Sequence, residues 1–97
     1  MKVVKTGTSG TMESSDILVT VEESKDKGIH ISLDSPVKKQ FGSQIKSVVL
    51  ETAKKIGVES ANITIIDKGA LDCVIRARTS TALYRACDSE DYKWEAK

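Results

Sequence analysis

The sequence predicts an α+β domain: a two-layer sandwich built in the order β-β-β-α-β-α, its mostly antiparallel sheet covered on one face by two helices. Three patterns carry that prediction. Two stretches, Ile17 to Glu22 and Ile29 to Asp34, alternate side chains with the period of two that marks a strand with one buried face. From Val37 to Ile56 the apolar residues recur instead at three- and four-residue steps, the period of a helix lying on a surface. Beyond Gly57 the succession begins again, with a strand pattern from Asn62 to Ile66 and a second helical one from Asp72.

Each element has a local reason. Residues 3–12, rich in Val, Thr and Gly, supply a first strand. Glu13-Ser14-Ser15-Asp16 is the turn before the second, because serine and aspartate side chains bond turn backbone. Glu23 to Gly28 is charged and ends in glycine, which predicts an antiparallel hairpin between the second and third strands. At Asp34-Ser35-Pro36 the Ser35 hydroxyl can cap a helix, and Pro36 suits the first helical position, where no amide bond is lost. Val37, Phe41, Ile45, Val48, Val49, Thr52 and Ile56 form the stripe that this helix turns to the sheet. Gly57 ends it in a left-handed conformation, and a right-handed crossover leads into the fourth strand.

Asp72 caps the second helix, whose Val74, Ile75, Arg78, Ala82, Leu83 and Ala86 share one face. A strand through Cys73-Val74-Ile75 is the competing reading, outweighed by the Ala and Arg content that follows. Residues 1–87 therefore make a single domain, and residues 88–97, polar and aperiodic, a flexible tail in which Trp94 stands out. On the far face of the sheet Thr20, Glu22, His30 and Ser32 point outward and leave a surface open to a partner.

Composition narrows the function. Ninety-seven residues, 39% of them hydrophobic, suffice for one core but not for a deep catalytic cleft. Fifteen basic residues against fourteen acidic ones produce no field that would draw the chain to nucleic acid or to an anionic membrane. No stretch approaches the roughly 18 apolar residues of a membrane span, and Met1 to Lys5 lacks the apolar core of a signal peptide. The expected location is the cytoplasm, where Cys73 and Cys87 stay free thiols. A single histidine leaves no set of zinc ligands, so no metal is expected.

Catalytic chemistry has few places to reside. His30, the one histidine, faces outward from a strand, so a nucleophilic triad has no base. The pairs Glu22-Glu23 and Glu90-Asp91 fall in a turn and a tail, where they read as solvated charge. Cys73, just inside a helix N-terminus, is a reactive-thiol candidate, set against the commoner role of a small buried hydrophobe. Gly7-Thr8-Ser9-Gly10 spells the backbone-clamping GxxG of KH domains, but it precedes strands instead of joining two helices. Asp67-Lys68-Gly69-Ala70 lacks the glycine spacing of a dinucleotide site, and no Gly-Lys-Ser/Thr phosphate loop occurs. Unaided, the residues give a binding or carrier module.

Three segments take the reading further. Gly10-Thr11-Met12-Glu13-Ser14-Ser15-Asp16, Val37-Lys38-Lys39-Gln40-Phe41-Gly42, and Asp67-Lys68-Gly69-Ala70-Leu71-Asp72-Cys73-Val74-Ile75-Arg76-Ala77-Arg78 together resemble the acyl carrier protein, or gamma subunit, of bacterial citrate lyase. The resemblance runs from about Val3 to Cys87. It implies a non-catalytic carrier with 2'-(5''-phosphoribosyl)-3'-dephospho-CoA attached through a phosphodiester to the serine following Gly-Thr-x-Glu, here Ser14, with the neighbouring Ser15 as second candidate. The implied partners are an alpha subunit that exchanges acetyl for citrate, a beta subunit that cleaves the citryl thioester to oxaloacetate, a prosthetic-group transferase, and a ligase that acetylates the arm.

Tethering would raise the acyl group's local concentration at each partner to roughly the millimolar range. A turn leaves a hydroxyl accessible and its arm free to swing. Arg76, Arg78 and Arg85 with Lys68 offer a positive surface for an acidic partner or the arm's phosphates, and Tyr92 and Trp94 are candidate interface anchors. The alternatives are the acyl carrier subunit of malonate decarboxylase, against which the segment from Asp72 to Arg78 weighs, and a small unmodified RNA-binding or interaction module, which near-zero net charge disfavours.

Overall fold

A computed structural model describes residues 2–36 and 38–87 of the chain. The elements run β1 (Gly7–Gly10), β2 (Ile17–Glu22), β3 (Gly28–Asp34), α1 (Lys38–Ile56), β4 (Ser60–Asp67) and α2 (Asp72–Ala86), the α+β succession the patterns predict. The expected tail, with Tyr92 and Trp94, lies outside the described residues.

The sheet order, β1-β2-β4-β3, corrects one expectation. β2 and β3 do not form a hairpin; β4 lies between them, antiparallel to β2 and parallel to β3. Burial explains the arrangement. Ile17, Val19 and Val21 of β2 and Ala61, Ile63 and Ile65 of β4 are almost wholly buried, so these two strands take the inner places, where both backbone edges are paired. β1, made of Gly, Thr and Ser, and β3, with exposed His30, Ser32 and Asp34, are left as the edges. The charged link 23–27 accordingly passes the start of β4, where the Ser60 hydroxyl donates to the Asp26 carbonyl at 2.6 Å.

Both helices cover the same face. From α1 the residues Ile45, Val48, Val49, Thr52, Ala53 and Ile56 enter the core, and from α2 Ile75, Thr79, Ala82, Leu83, Tyr84 and Ala86. Close approach of α2 to β1 dictates Gly7, since a Cβ there would collide with the Ala82 carbonyl oxygen and the Ala86 amide. Gly57 ends α1 with φ 94°, as its position predicts. At the helix starts the details differ from expectation. Pro36 sits two residues ahead of α1, and the Ser35 hydroxyl donates to Asp67 Oδ2 at 2.8 Å. Leu71, not Asp72, is the N-cap of α2, and Asp72 is its first helical residue. No described helix is long and apolar enough to cross a membrane.

The opposite face stays open. Thr20, Thr64 and Ser32 lie in one row across β2, β4 and β3, and Glu22, Asn62 and His30 in the next, all polar and partly or fully exposed as the alternation predicts.

Candidate modification turn

β1 and β2 are the sheet's true hairpin, and the segment joining them is 11–16. Its residues supply most of their own scaffold. Thr11 Oγ1 accepts the Glu13 amide at 3.2 Å and donates to Asp16 Oδ2 at 2.6 Å, while the Asp16 amide closes the turn on the Glu13 carbonyl at 3.1 Å. Inside the turn Ser15 adopts φ 67°, the one non-glycine residue with positive φ among those described. A left-handed serine costs about 1 kcal/mol, which the surroundings must offset.

They do so from two sides. The Ser15 amide donates to the Lys68 carbonyl at 2.7 Å, and the Lys68 amide donates to the Asp16 carbonyl at 2.9 Å, extending the β2–β4 ladder past its last strand residues. From α2, the Arg78 guanidinium grips both carboxylate oxygens of Asp16, with Nε to Oδ1 at 3.1 Å and Nη2 to Oδ2 at 3.0 Å. Asp16 Oδ1 also accepts the Ile17 amide at 2.7 Å. The Thr11 hydroxyl foremost, then the Ile17 amide and Arg78, hold the Asp16 carboxyl down at about 2. It is thus ionised throughout the physiological range. Ser14 and Ser15 both remain exposed at the tip.

The predicted positive surface is divided among separate partners. Arg78 is committed to Asp16, Arg85 donates to the Thr8 carbonyl at 2.7 Å, and Arg76 lies 3.8 Å from Glu51 of α1. Lys68 remains beside the turn through its backbone. Cys73 is exposed and not the buried hydrophobe that free cysteine usually is; Cys87 is half-buried, and burial pushes its thiol up. His30 and Glu22 are exposed on the open face, and the described residues contain no cluster of three metal-ligating side chains.

Sequence reasoning missed the Asp16–Arg78 pair, whose members are 62 residues apart. A signal existed: Arg78 falls on the helix face that otherwise carries Ile75, Ala82 and Leu83, where a guanidinium demands a carboxylate partner. Missed too was a groove of about 450 Å3 beside the turn, whose walls include Phe41, Ile45, Ala70, Leu71 and Ile75.

The turn and its supports fall within regions shared with known proteins. Residues 4–86 match the acyl carrier family model described as malonate decarboxylase delta subunit. A citrate lyase acyl carrier protein of Streptococcus mutans is 50% identical over 98% of this chain and 93% of its own length. That of Fusobacterium nucleatum is 53% identical over 95% and 99%. The chain belongs to the citrate lyase acyl carrier protein family. In fold it resembles a chain of a Pseudomonas malonate decarboxylase hetero-tetramer, with TM-score 0.61 and 19% identity over 91% of this chain and 90% of that one. A homoserine kinase from Cytophaga hutchinsonii shares the fold as well, with TM-score 0.59 and 13% identity over 93% of this chain and 36% of the kinase. Membership of an acyl carrier family implies a covalently attached prosthetic group, so the question for this chain becomes where the group is attached and which one it is.

Proposed function

We propose that the chain is the non-catalytic acyl carrier of a cytoplasmic citrate lyase and that Ser14 carries 2'-(5''-phosphoribosyl)-3'-dephospho-CoA through a phosphodiester. The observation that carries the assignment is a braced turn with an exposed serine at its corner. Ser14 is preferred to Ser15 because it is the serine that follows Gly10-Thr11-Met12-Glu13, the position the resemblance implies; the Ser15 backbone, with φ 67° and its amide bonded to Lys68, belongs to the brace beside it. A transferase meets a hydroxyl in one conformation and not in an ensemble. Lys68 places a cation on the loop bonded to the turn, suited to the phosphodiester's charge.

The arm's terminal thiol supplies the chemistry, holding acetyl or citryl as a thioester. What this chain supplies is position. The four-stranded sheet and α2 fix the root of the arm, and the partner subunits, an acyl transferase and a citryl lyase, provide the active sites. Intact mass of the protein from its own host tests this: a coenzyme A-like adduct on the peptide containing Ser14 is expected, absent in Ser14→Ala and retained in Ser15→Ala. An unmodified chain in an active complex would refute it.

A second reading, the carrier of a malonate decarboxylase, is favoured by the description of the matching family model and by the hetero-tetramer's fold. The relatives at 45–53% identity favour citrate lyase. Reconstitution with each set of partners separates the two: citrate cleavage is expected, and malonate decarboxylation instead would exchange them.

A further inference from the structure

The groove beside the turn has a composition that the fold does not require. Phe41 belongs by spacing to the buried stripe of α1, yet it is 50% exposed, because the surface beneath it is a hollow and not packed sheet. Leu71, which lines the same groove, is 71% exposed. Ile45, Ala70 and Ile75 line it too, and the Gln44 amide donates to the Asp72 carboxylate at 3.3 Å. Asp67 closes the floor with its carboxylate fully engaged, Oδ1 accepting the Gly69 and Ala70 amides and Oδ2 the Ser35 hydroxyl.

The groove adjoins the segment that braces the turn. Its wall of residues 69–72 begins one residue after Lys68, and Lys68 is bonded to both Ser15 and Asp16. A group tethered at Ser14 therefore starts within one loop's width of an apolar slot with an aromatic lip. Slots of this volume accept small molecules. An exposed phenyl ring and an aliphatic side chain lining one groove suit the stacking of a planar base, and a glutamine amide is the side chain that pairs the amino edge of adenine.

We propose that this groove seats the adenine base of the attached arm, between Phe41 and Leu71 with Gln44 at its edge. The inference rests on the carrier reading above. In the arm the phosphoribosyl group leads directly into the adenosine, so the base is the first planar group beyond the attachment point. Seating it fixes the nucleotide portion against the protein and leaves the pantetheine end as the moving part. The swinging radius is then set from the lip of the groove and not from Ser14.

The test compares the labelled chain before and after loading by its host's transferase, with intact mass confirming the adduct. Amide shift changes are expected at Gln44, Ile45, Gly69, Leu71 and Ile75 as well as in the turn, with nuclear Overhauser contacts from adenine protons to the Phe41 ring. Phe41→Ser, at a half-exposed position, should keep the adduct and lose the groove shifts. An adduct whose shift changes stay within residues 11–16, or whose pantetheine methyls contact Phe41 in place of the base, overturns the proposal and leaves the carrier reading standing. Absence of any adduct overturns both.

Discussion

Two connections of the same sheet have nearly the same local chemistry and different constraints. The link 11–16 and the link 23–27 each hold, at their first or second residue, a hydroxyl that accepts the amide two residues on, Thr11 from Glu13 and Ser24 from Asp26. Each contains a serine and an aspartate, and each reads as a solvated turn. Beyond that they part. The second is tied to the rest of the fold through the Asp26 carbonyl, which accepts from Ser60, and its aspartate side chain is exposed. The first is pinned by two backbone hydrogen bonds to Lys68 and by a bidentate arginine from α2, and it holds a non-glycine residue at positive φ. Turn chemistry alone makes a bend. Long-range anchoring makes a bend with a single shape, which is what the proposed modification at Ser14 calls for.

The largest expected effect breaks that distinction directly. Asp16→Ala removes the acceptor of Thr11, Ile17 and Arg78 together, and transfer of the prosthetic group to Ser14 should slow on the order of 10- to 100-fold, measured by intact mass over time. Asp26→Ala should leave that rate unchanged. Equal slowing in both variants would mean that the brace plays no part in recognition.

Acid should sharpen the contrast. The Asp16 carboxyl, ordinarily at 3.8, is lowered to about 2 in the folded chain. A depressed carboxylate contributes stability that is fully present above its unfolded value and is lost as pH falls through the folded one. Between pH 4 and about 2 the turn should therefore loosen. Protection of the Ser15 amide against exchange, relative to the intrinsic rate at each pH, should fall across that window in the native protein, because its bond to Lys68 depends on the turn's shape. In Asp16→Asn the same protection should be low already at neutral pH and should change little on acidification.

What was legible in the sequence and what was not follows the same division. Periodicity located three of the four strands and both helices, because burial of one face acts residue by residue: Val19, Val21, Ile63 and Ile65 lie where period two puts them; β1, short and made of Gly, Thr and Ser, was placed only by composition, within residues 3–12. Strand order was hidden, since the β2–β3 link suits a hairpin and only the deeper burial of β4 favours placing it between them. Phe41 failed the helical pattern for a different reason: periodicity assigns a face, and the depth of packing on that face depends on the neighbouring loop 68–71. The segment 10–16 proposed to carry the modification was visible as a motif, but its brace was not, because Arg78 and Asp16 meet only once the fold exists.

Backbone strain offers a smaller test of the two connections. Gly28, ending the second link, has φ 101° and open space around it, so Gly28→Ala should cost about 1 kcal/mol through conformation alone. Ser15→Gly relieves a left-handed serine while adding unfolded-state freedom, and denaturant titration should find stability within about 0.5 kcal/mol of the original.

The smallest effect concerns the two arginines of α2 that face carboxylates. Arg76 approaches Glu51 at 3.8 Å through one nitrogen, with both side chains half-exposed, whereas Arg78 makes two hydrogen bonds of about 3 Å to Asp16. An exposed pair at that distance gains little Coulomb energy and gives up side-chain freedom to form. Arg76→Ala and Glu51→Ala should each change stability by less than about 0.5 kcal/mol, with a double-mutant coupling near zero that vanishes in high salt. The Arg78–Asp16 coupling should be larger and survive the salt, because the bidentate bite and the accompanying Thr11 and Ile17 bonds fix the carboxylate before the guanidinium arrives. If the two couplings proved equal, the bite would contribute nothing beyond charge, and the rigidity of the modification turn would have to come from Lys68 and the backbone alone.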